Sequence, residues 1–507
     1  MDNRGNFHWP ETQTLPTLNK PADVLDMMDL SKATDDEKTL FTTLKGIVNR
    51  TIPRIITRVG SKEEKYEWPD ILNMKYVEVD DLYSLVTKYH SELKGLIIYD
   101  EAVIDTLNLA TSIAGVKDAV VVSAELAQKL SAAPYSLPVL CDLRGQFENK
   151  LQVYRHMLKE WYPQLTHRLL AGINPEAIRG NLREYIVALG MAVIWLQPDA
   201  PEEKELLNEF LSALPAGSVY MGWWVNEEAG IAAASVYGVA CLASDWSVNL
   251  TVLGGIESKT VRRPLPELPE LQNKIYVSFI VADGDNLQYM ENAFKGRWKN
   301  PDRGSVPLGW TTSPTMIDAA PALLDWIYST ATDNDCLVSG PSGIAYTYPN
   351  IWSNKEHLKI FMKKTDDYMQ RAGLRVLTLW AHGVDGATND DVGEMFAEYT
   401  PSLLGITSQK RDSGWKKYNG TMPGAGIWGN YCSKVIEMEE SIELGAREYD
   451  GSAPVFILIQ PVPWQLSPTE VKNLVAKLGP EYEVVRPDVM FSLYRKHNNM
   501  CIDPLAK

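Results

Sequence analysis

At 507 residues, 45 % of them hydrophobic and 22 % charged, the chain exceeds what one core organises and is too apolar for wholesale disorder, so roughly three or four folding units are expected. A formal net charge of -16, with no Lys/Arg run to build a local basic stripe, argues against nucleic acid and anionic membranes as partners. No stretch approaches the roughly 18 apolar residues of a spanning helix, and the first residues lack the basic and then apolar signal pattern, so a soluble chain is expected; a secreted or periplasmic destination stays compatible with a removed leader.

In the first half, β-branched runs at 54–59, 95–99 and 119–122 alternate with helix-period segments, the pattern of α/β layers. Three small α/β modules are expected, over 1–92, 93–165 and 166–260. In the third, 185–197 turns from helix into strand, and Glu227 and Glu228 follow an apolar strand at 219–224. Two acidic residues there suit the first turn of the next helix; the functional alternative is an interdomain site. A proline-rich linker at 261–273, with Pro264, Pro266 and Pro269, continues neither helix nor central strand and marks the clearest boundary.

After the linker the pattern becomes regular. Apolar strands are expected at 275–282, 306–311, 336–339, 375–380, 403–407 and 455–460, with weaker ones near Gly426 and Val484. Helical segments at 315–330, 354–372, 434–447 and 468–478 can cross over between parallel strands. Seven or eight β/α steps over 274–507 match a (β/α)7-8 barrel-like domain, with an open doubly wound sheet as the alternative.

In a barrel the chemistry sits where the strands end. The first strand end delivers Asp283, Asp285 and Asn286, the second Trp310, and the third Gly340 followed by Tyr346 and Tyr348. The fourth gives Trp380, His382 and Asp385; later ones give Ser408, Trp428 with Asn430, and Gln460 with Trp464. Rings that pack on a sugar's C–H face, beside carboxylates and amides that bond its hydroxyls, suit a carbohydrate substrate. Glycoside cleavage needs two carboxyl groups flanking the bond. Gly284 between Asp283 and Asp285 favours a turn, so one of the two points inward and Asp385 is the natural second member. The plainer role of the Asp-Gly-Asp-Asn stretch is to turn the chain and cap a helix.

Other signals fail on context. The stretch GAGIWG at 424–429 follows a polar Pro/Gly-rich loop where a nucleotide fold needs an apolar strand, and Ile344 stands where a nucleophile elbow needs its second glycine. Seven histidines without an H-x-x-x-H pair, and five cysteines without a C-x-x-C pair, predict no metal site and no cofactor. Cys141 and Cys336 lie in apolar runs and read as buried small hydrophobes.

The segment 343–349, Gly-Ile-Ala-Tyr-Thr-Tyr-Pro, resembles the signature of the GxGYxYP family of putative glycoside hydrolases. Ala345 replaces its middle glycine, which disfavours a positive φ there. LKGIVNRTIPRI near the start, VADGDNLQ at the first barrel strand and VVRPDVMFSL near the end are also similar to that family. The resemblance implies small N-terminal α/β modules and a C-terminal barrel-like domain associated with sugar processing. The expected function is glycoside hydrolysis of a bacterial-diet or cell-surface glycan. Asp283 or Asp285 with Asp385 forms the acid/base pair; Trp310, Tyr346, Tyr348, Trp380 and Trp428 are platforms; Asn286, His382 and Asn430 grip hydroxyls. The alternative is a non-catalytic glycan-binding protein using the same aromatic rim.

Overall fold

The computed structural model describes residues 7–58, 66–259, 263–281, 286–383, 388–409 and 414–506, and of Asn286, Gly429 and Asn430 it describes the backbone alone. The chain divides into two compact units, residues 1–259 with 318–324 and residues 260–317 with 325–507.

The described strands of the first unit form three separate parallel sheets. The first contains β1 (Leu25–Met28), β2 (Ile55–Thr57) and β3 (Tyr76–Glu78) in the order β2-β1-β3. The second contains β4 (Gly95–Ile98), β5 (Ala119–Val122) and β6 (Val139–Asp142) in the order β5-β4-β6. The third contains β7 (Leu169–Gly172), β8 (Ala192–Ile194), β9 (Val219–Gly222) and β10 (Ala240–Ala243) in the order β10-β9-β7-β8.

Helices supply the crossovers that parallel strands need. The helix Asp35–Asn49 starts at a capping box: Thr34 accepts from the Glu37 backbone while the Glu37 side chain accepts from Thr34, and three acidic residues fill the first turn. It packs on the helix Arg183–Leu189, which also packs on the helix Thr106–Lys117, so the three sheets share one helical core.

The second unit holds β11 (Ile275–Val281), β12 (Leu308–Thr312), β13 (Asp335–Ser339), β14 (Val376–Thr378), β15 (Gly405–Ser408), β16 (Trp415–Tyr418), β17 (Met422–Cys432), β18 (Val455–Pro461) and β19 (Tyr482–Val484). Strands β11, β12, β13, β14, β15, β17 and β18 close into a seven-stranded parallel barrel. β19 is not an eighth stave: it pairs with Ile275–Val277 at the start of β11, whereas β12 takes up Ile280 and Val281 further along. β16 is an antiparallel addition to β17.

Residues in register share a face, and faces alternate along a strand. Ile457 packs against Gly445 of the helix Val435–Ala446, which makes its side of β18 the outer one. Phe456 and Leu458 face inward and cluster with Tyr276, Ile280, Val338, Val376, Ile427 and the last helix, Pro487–His497. Arg495 of that helix donates to the carbonyls of Leu404 at 2.6 Å and Leu403 at 3.0 Å, just before β15, and Phe491 fills the space a side chain on Gly405 would need. The last helix therefore closes the strand-start end. Each fully buried Leu or Phe on it contributes roughly 1.5–3 kcal/mol.

Candidate functional site

The plugged end is also electrostatically closed. A cavity of about 220 Å³ there is lined by Arg263, Arg375, Arg486, Asp335 and Asp488, whose charges are already engaged: Arg486 with Asp488 at 2.5 Å, Arg375 with Asp503 at 2.6 Å, and Asp335 with Arg303. Cys336 lines it too; burial, helped by the Asp488 carboxylate, pushes its thiol well above the ordinary range, and burial likewise raises Cys141, so neither is an activated nucleophile. The opposite end, where the strands finish, is the one built from loops.

The loop after β13 is held from within. Ser339 Oγ donates to the carbonyls of Gly340 at 3.1 Å and Gly343 at 3.2 Å. Gly343 has φ +128°, and a Cβ there would lie 2.5 Å from Thr365 Oγ1, so this position needs glycine. Ala345 is buried and lies outside the positive-φ region, so its departure from the signature costs no backbone strain.

Beyond the turn, Tyr346 Oη and Tyr348 Oη lie 3.1 Å apart, and the two rings meet edge to face. Tyr346 meets Trp380 at 5.1 Å, Trp380 meets Tyr431 at 5.3 Å, and Tyr348 meets His382 at 5.5 Å. Two clamps lock this loop to the one after β14. Asn350 donates to the His382 carbonyl at 2.8 Å and accepts from the His382 N–H at 3.0 Å, while Ser342 Oγ accepts from the Trp380 N–H at 3.1 Å. Tyr346, Tyr348, Trp380 and His382 are thus brought together. Of these only His382 is exposed; Tyr346, Tyr348 and Trp380 are buried and make the wall beneath it.

Trp310 and Trp428 are elsewhere. Trp310 is 1 % exposed, packs against Phe294 and Trp298, and donates from Nε1 to Asp335 Oδ1 at 2.9 Å. Trp428 is in register with Ile459, on the outer face. Both follow the outward step of the strand alternation, which leaves them outside the ring of inward residues. Asn286 begins the helix Asn286–Glu291 and Asn430 lies within β17, but their side chains are outside the described residues, as are Asp283, Asp285 and Asp385 altogether. Glu227 and Glu228 are exposed in the first turn of the helix Glu227–Val236, which Asn226 caps.

Two open rings lie at the strand ends: Tyr431, not among the expected residues, is 36 % exposed beside Trp380, and Trp464, expected after the last barrel strand, is 40 % exposed with its ring edge on Tyr289. Gln460, expected with Trp464 at that strand end, lies near the end of β18. It is fully buried, and neither its Oε1 nor its Nε2 has a hydrogen-bond partner. The sequence signal for it is a lone amide on the inward step of the run Phe456, Leu458, Gln460. Among the described residues no group of three or more His, Cys, Asp or Glu side chains could hold a metal ion, and no helix is long and apolar enough to cross a membrane.

Comparison with known proteins adds the following. Three family models match: "GxGYxYP_N second domain" over residues 93–165, "GxGYxYP third domain" over 167–255, and "GxGYxYP putative glycoside hydrolase C-terminal domain" over 273–495. A crystal structure described as a putative hydrolase from Bacteroides thetaiotaomicron is similar in fold, with a TM-score of 0.81 at 22 % identity, covering 95 % of this chain and 96 % of that one. A crystal structure described as a putative polysaccharide deacetylase from Mycobacterium smegmatis matches at a TM-score of 0.31 and 11 % identity over 49 % of this chain and 99 % of its own. No curated protein matches.

Proposed function

The chain belongs to the GxGYxYP family, and on that premise we propose that it is a glycoside hydrolase whose active site lies at the strand-finishing end of the barrel. The observation that carries this reading is the clamped pair of loops after β13 and β14, which bring an aromatic chain from His382 to Tyr431 to that end. The segments that follow β11 and β14 in sequence carry Asp283, Asp285 and Asp385. Asp283 or Asp285 with Asp385 is the acid/base pair, one protonating the leaving oxygen while the other acts on the opposite face of the sugar. General-acid catalysis at this site requires the acid partner to be protonated when the sugar binds. Tyr431 and Trp464, being open, are the platforms for sugar C–H faces; Asn286, His382 and Asn430 bond hydroxyls.

The same premise favours one sheet per N-terminal module, 1–92, 93–165 and 166–260, ahead of the linker at 261–273 and the barrel-like domain at 274–507. In the rival reading, the buried wall under exposed His382 and Tyr431 serves a glycan-binding protein without hydrolysis. Reducing-end release from a glycan panel separates the two. Asp285→Asn and Asp385→Asn that bind the cleaved glycan but no longer release ends support the enzyme; a wild type that binds glycans and cleaves none supports the binder.

A further inference from the structure

We infer that Gln460, together with Trp380, forms a polar floor under the barrel mouth that grips hydroxyls of an uncharged sugar ring, an inference that rests on the glycoside hydrolase reading above. Gln460 continues the inward face of β18 after Phe456 and Leu458, one step beyond the register pair Ile459–Trp428 on the outer face. It is fully buried, and both amide atoms lack a partner. Among the described residues, three further groups on, or just past, inward-facing strand positions of the barrel also lack a partner. They are the Trp380 indole N–H, two residues past Thr378; the Thr407 hydroxyl, in register with inward-facing Ala425; and the Ser278 hydroxyl, between inward-facing Tyr276 and Ile280.

Four polar groups from four parts of one barrel interior thus make no hydrogen bond to protein. A buried polar group without a partner destabilises a fold, and a leucine would fill the Gln460 position without that cost. Such groups persist where function completes them. Their chemistry indicates what completes them. An amide offers a donor and an acceptor, an indole a donor, and a hydroxyl both, which matches the neighbouring hydroxyls of a sugar ring. None of the four carries a positive charge, so a uronic acid or other carboxylated sugar would bring a carboxylate to a floor with no cation. Gln460 is fully buried, so its contact with the sugar requires the mouth to adjust around the ring.

The test compares the full-length wild type with Gln460→Leu by calorimetric melting without ligand and by binding to an array of neutral and uronic-acid glycans. The inference expects Gln460→Leu to melt about 2–4 °C higher, wild type to prefer neutral glycans, and the variant to lose at least about tenfold in affinity for them. A variant that melts lower, one that binds the same neutral glycan as tightly as wild type, or a wild type that prefers uronic acids overturns this inference while leaving the hydrolase reading intact. A wild type that binds no glycan on the array overturns that reading and, with it, this one.

Discussion

In the first unit Asn249 accepts from Lys45 at 2.5 Å and from the Thr57 N–H at 2.7 Å, and donates to the Thr57 carbonyl at 2.8 Å; in the barrel Gln460, just as buried, makes none of the bonds its amide allows. The contrast extends to their neighbours. Arg183 donates to Asn108 at 3.1 Å, Thr111 at 2.8 Å and the Ile178 carbonyl at 3.1 Å, and Glu184 accepts from the Thr251 N–H and hydroxyl while lying 4.0 Å from Lys45. The bonds from Arg183 to Asn108 and Thr111, and the Lys45–Glu184 pair, join helices that belong to different sheets. In this cluster buried polarity is bonded within the protein, whereas the Gln460 amide is left open, as are Tyr162 Oη and Trp224 Nε1 elsewhere in the first unit.

Removing the satisfied kind should cost the most. Glu184→Ala leaves Lys45 buried without its carboxylate and should destabilise the first unit by about 3–5 kcal/mol, read from denaturant unfolding. Gly343→Ala comes next: at φ +128° with Thr365 in the way, about 1–3 kcal/mol of strain is expected, with a larger proportional loss of glycan cleavage because the Tyr346–Tyr348 loop shifts. Tyr431→Ala removes an open ring, so it should weaken glycan binding by about 0.5–1.5 kcal/mol in calorimetric titration with little change in melting temperature.

The smallest effect is local to the first helix, where Thr34→Ala should cost about 1 kcal/mol. The Thr34 backbone N–H chiefly holds the Glu37 carboxylate below its ordinary 4.5. A carboxylate lowered in the folded state contributes above its unfolded value and loses that contribution as pH falls through the folded one. Glu37→Gln should therefore unfold at lower urea than wild type at neutral pH, with the gap closing as the pH drops below that range.

Much of the fold could be read from residue patterns because the patterns are local. The expected strand at 455–460 is β18 (Val455–Pro461), and the expected helix at 354–372 is Lys355–Ala372, capped by Asn354. The expected single helix at 315–330 is interrupted at Ala320, because Pro321 cannot continue it. The weak strand expected near Gly426 is the eleven-residue β17, which also takes in Met422 and Pro423 from the stretch read as a loop; β15, β16 and β18 supply the ladder that holds it.

The site was harder to read. Trp310 and Trp428 stand beside the strand ends in sequence, yet which face a side chain takes depends on register, and register is set by neighbours hundreds of atoms away. Tyr431 reaches the rim with φ +55°, a conformation that an aromatic residue gives no hint of.

A crystal structure of Asp385→Asn with a bound neutral oligosaccharide tests the central claim most directly. The account predicts a sugar ring stacked on Tyr431 at the strand-finishing end, with a hydroxyl hydrogen-bonded to the Gln460 amide. A glycan bound away from that end, or a Gln460 amide bonded only to protein, would contradict it.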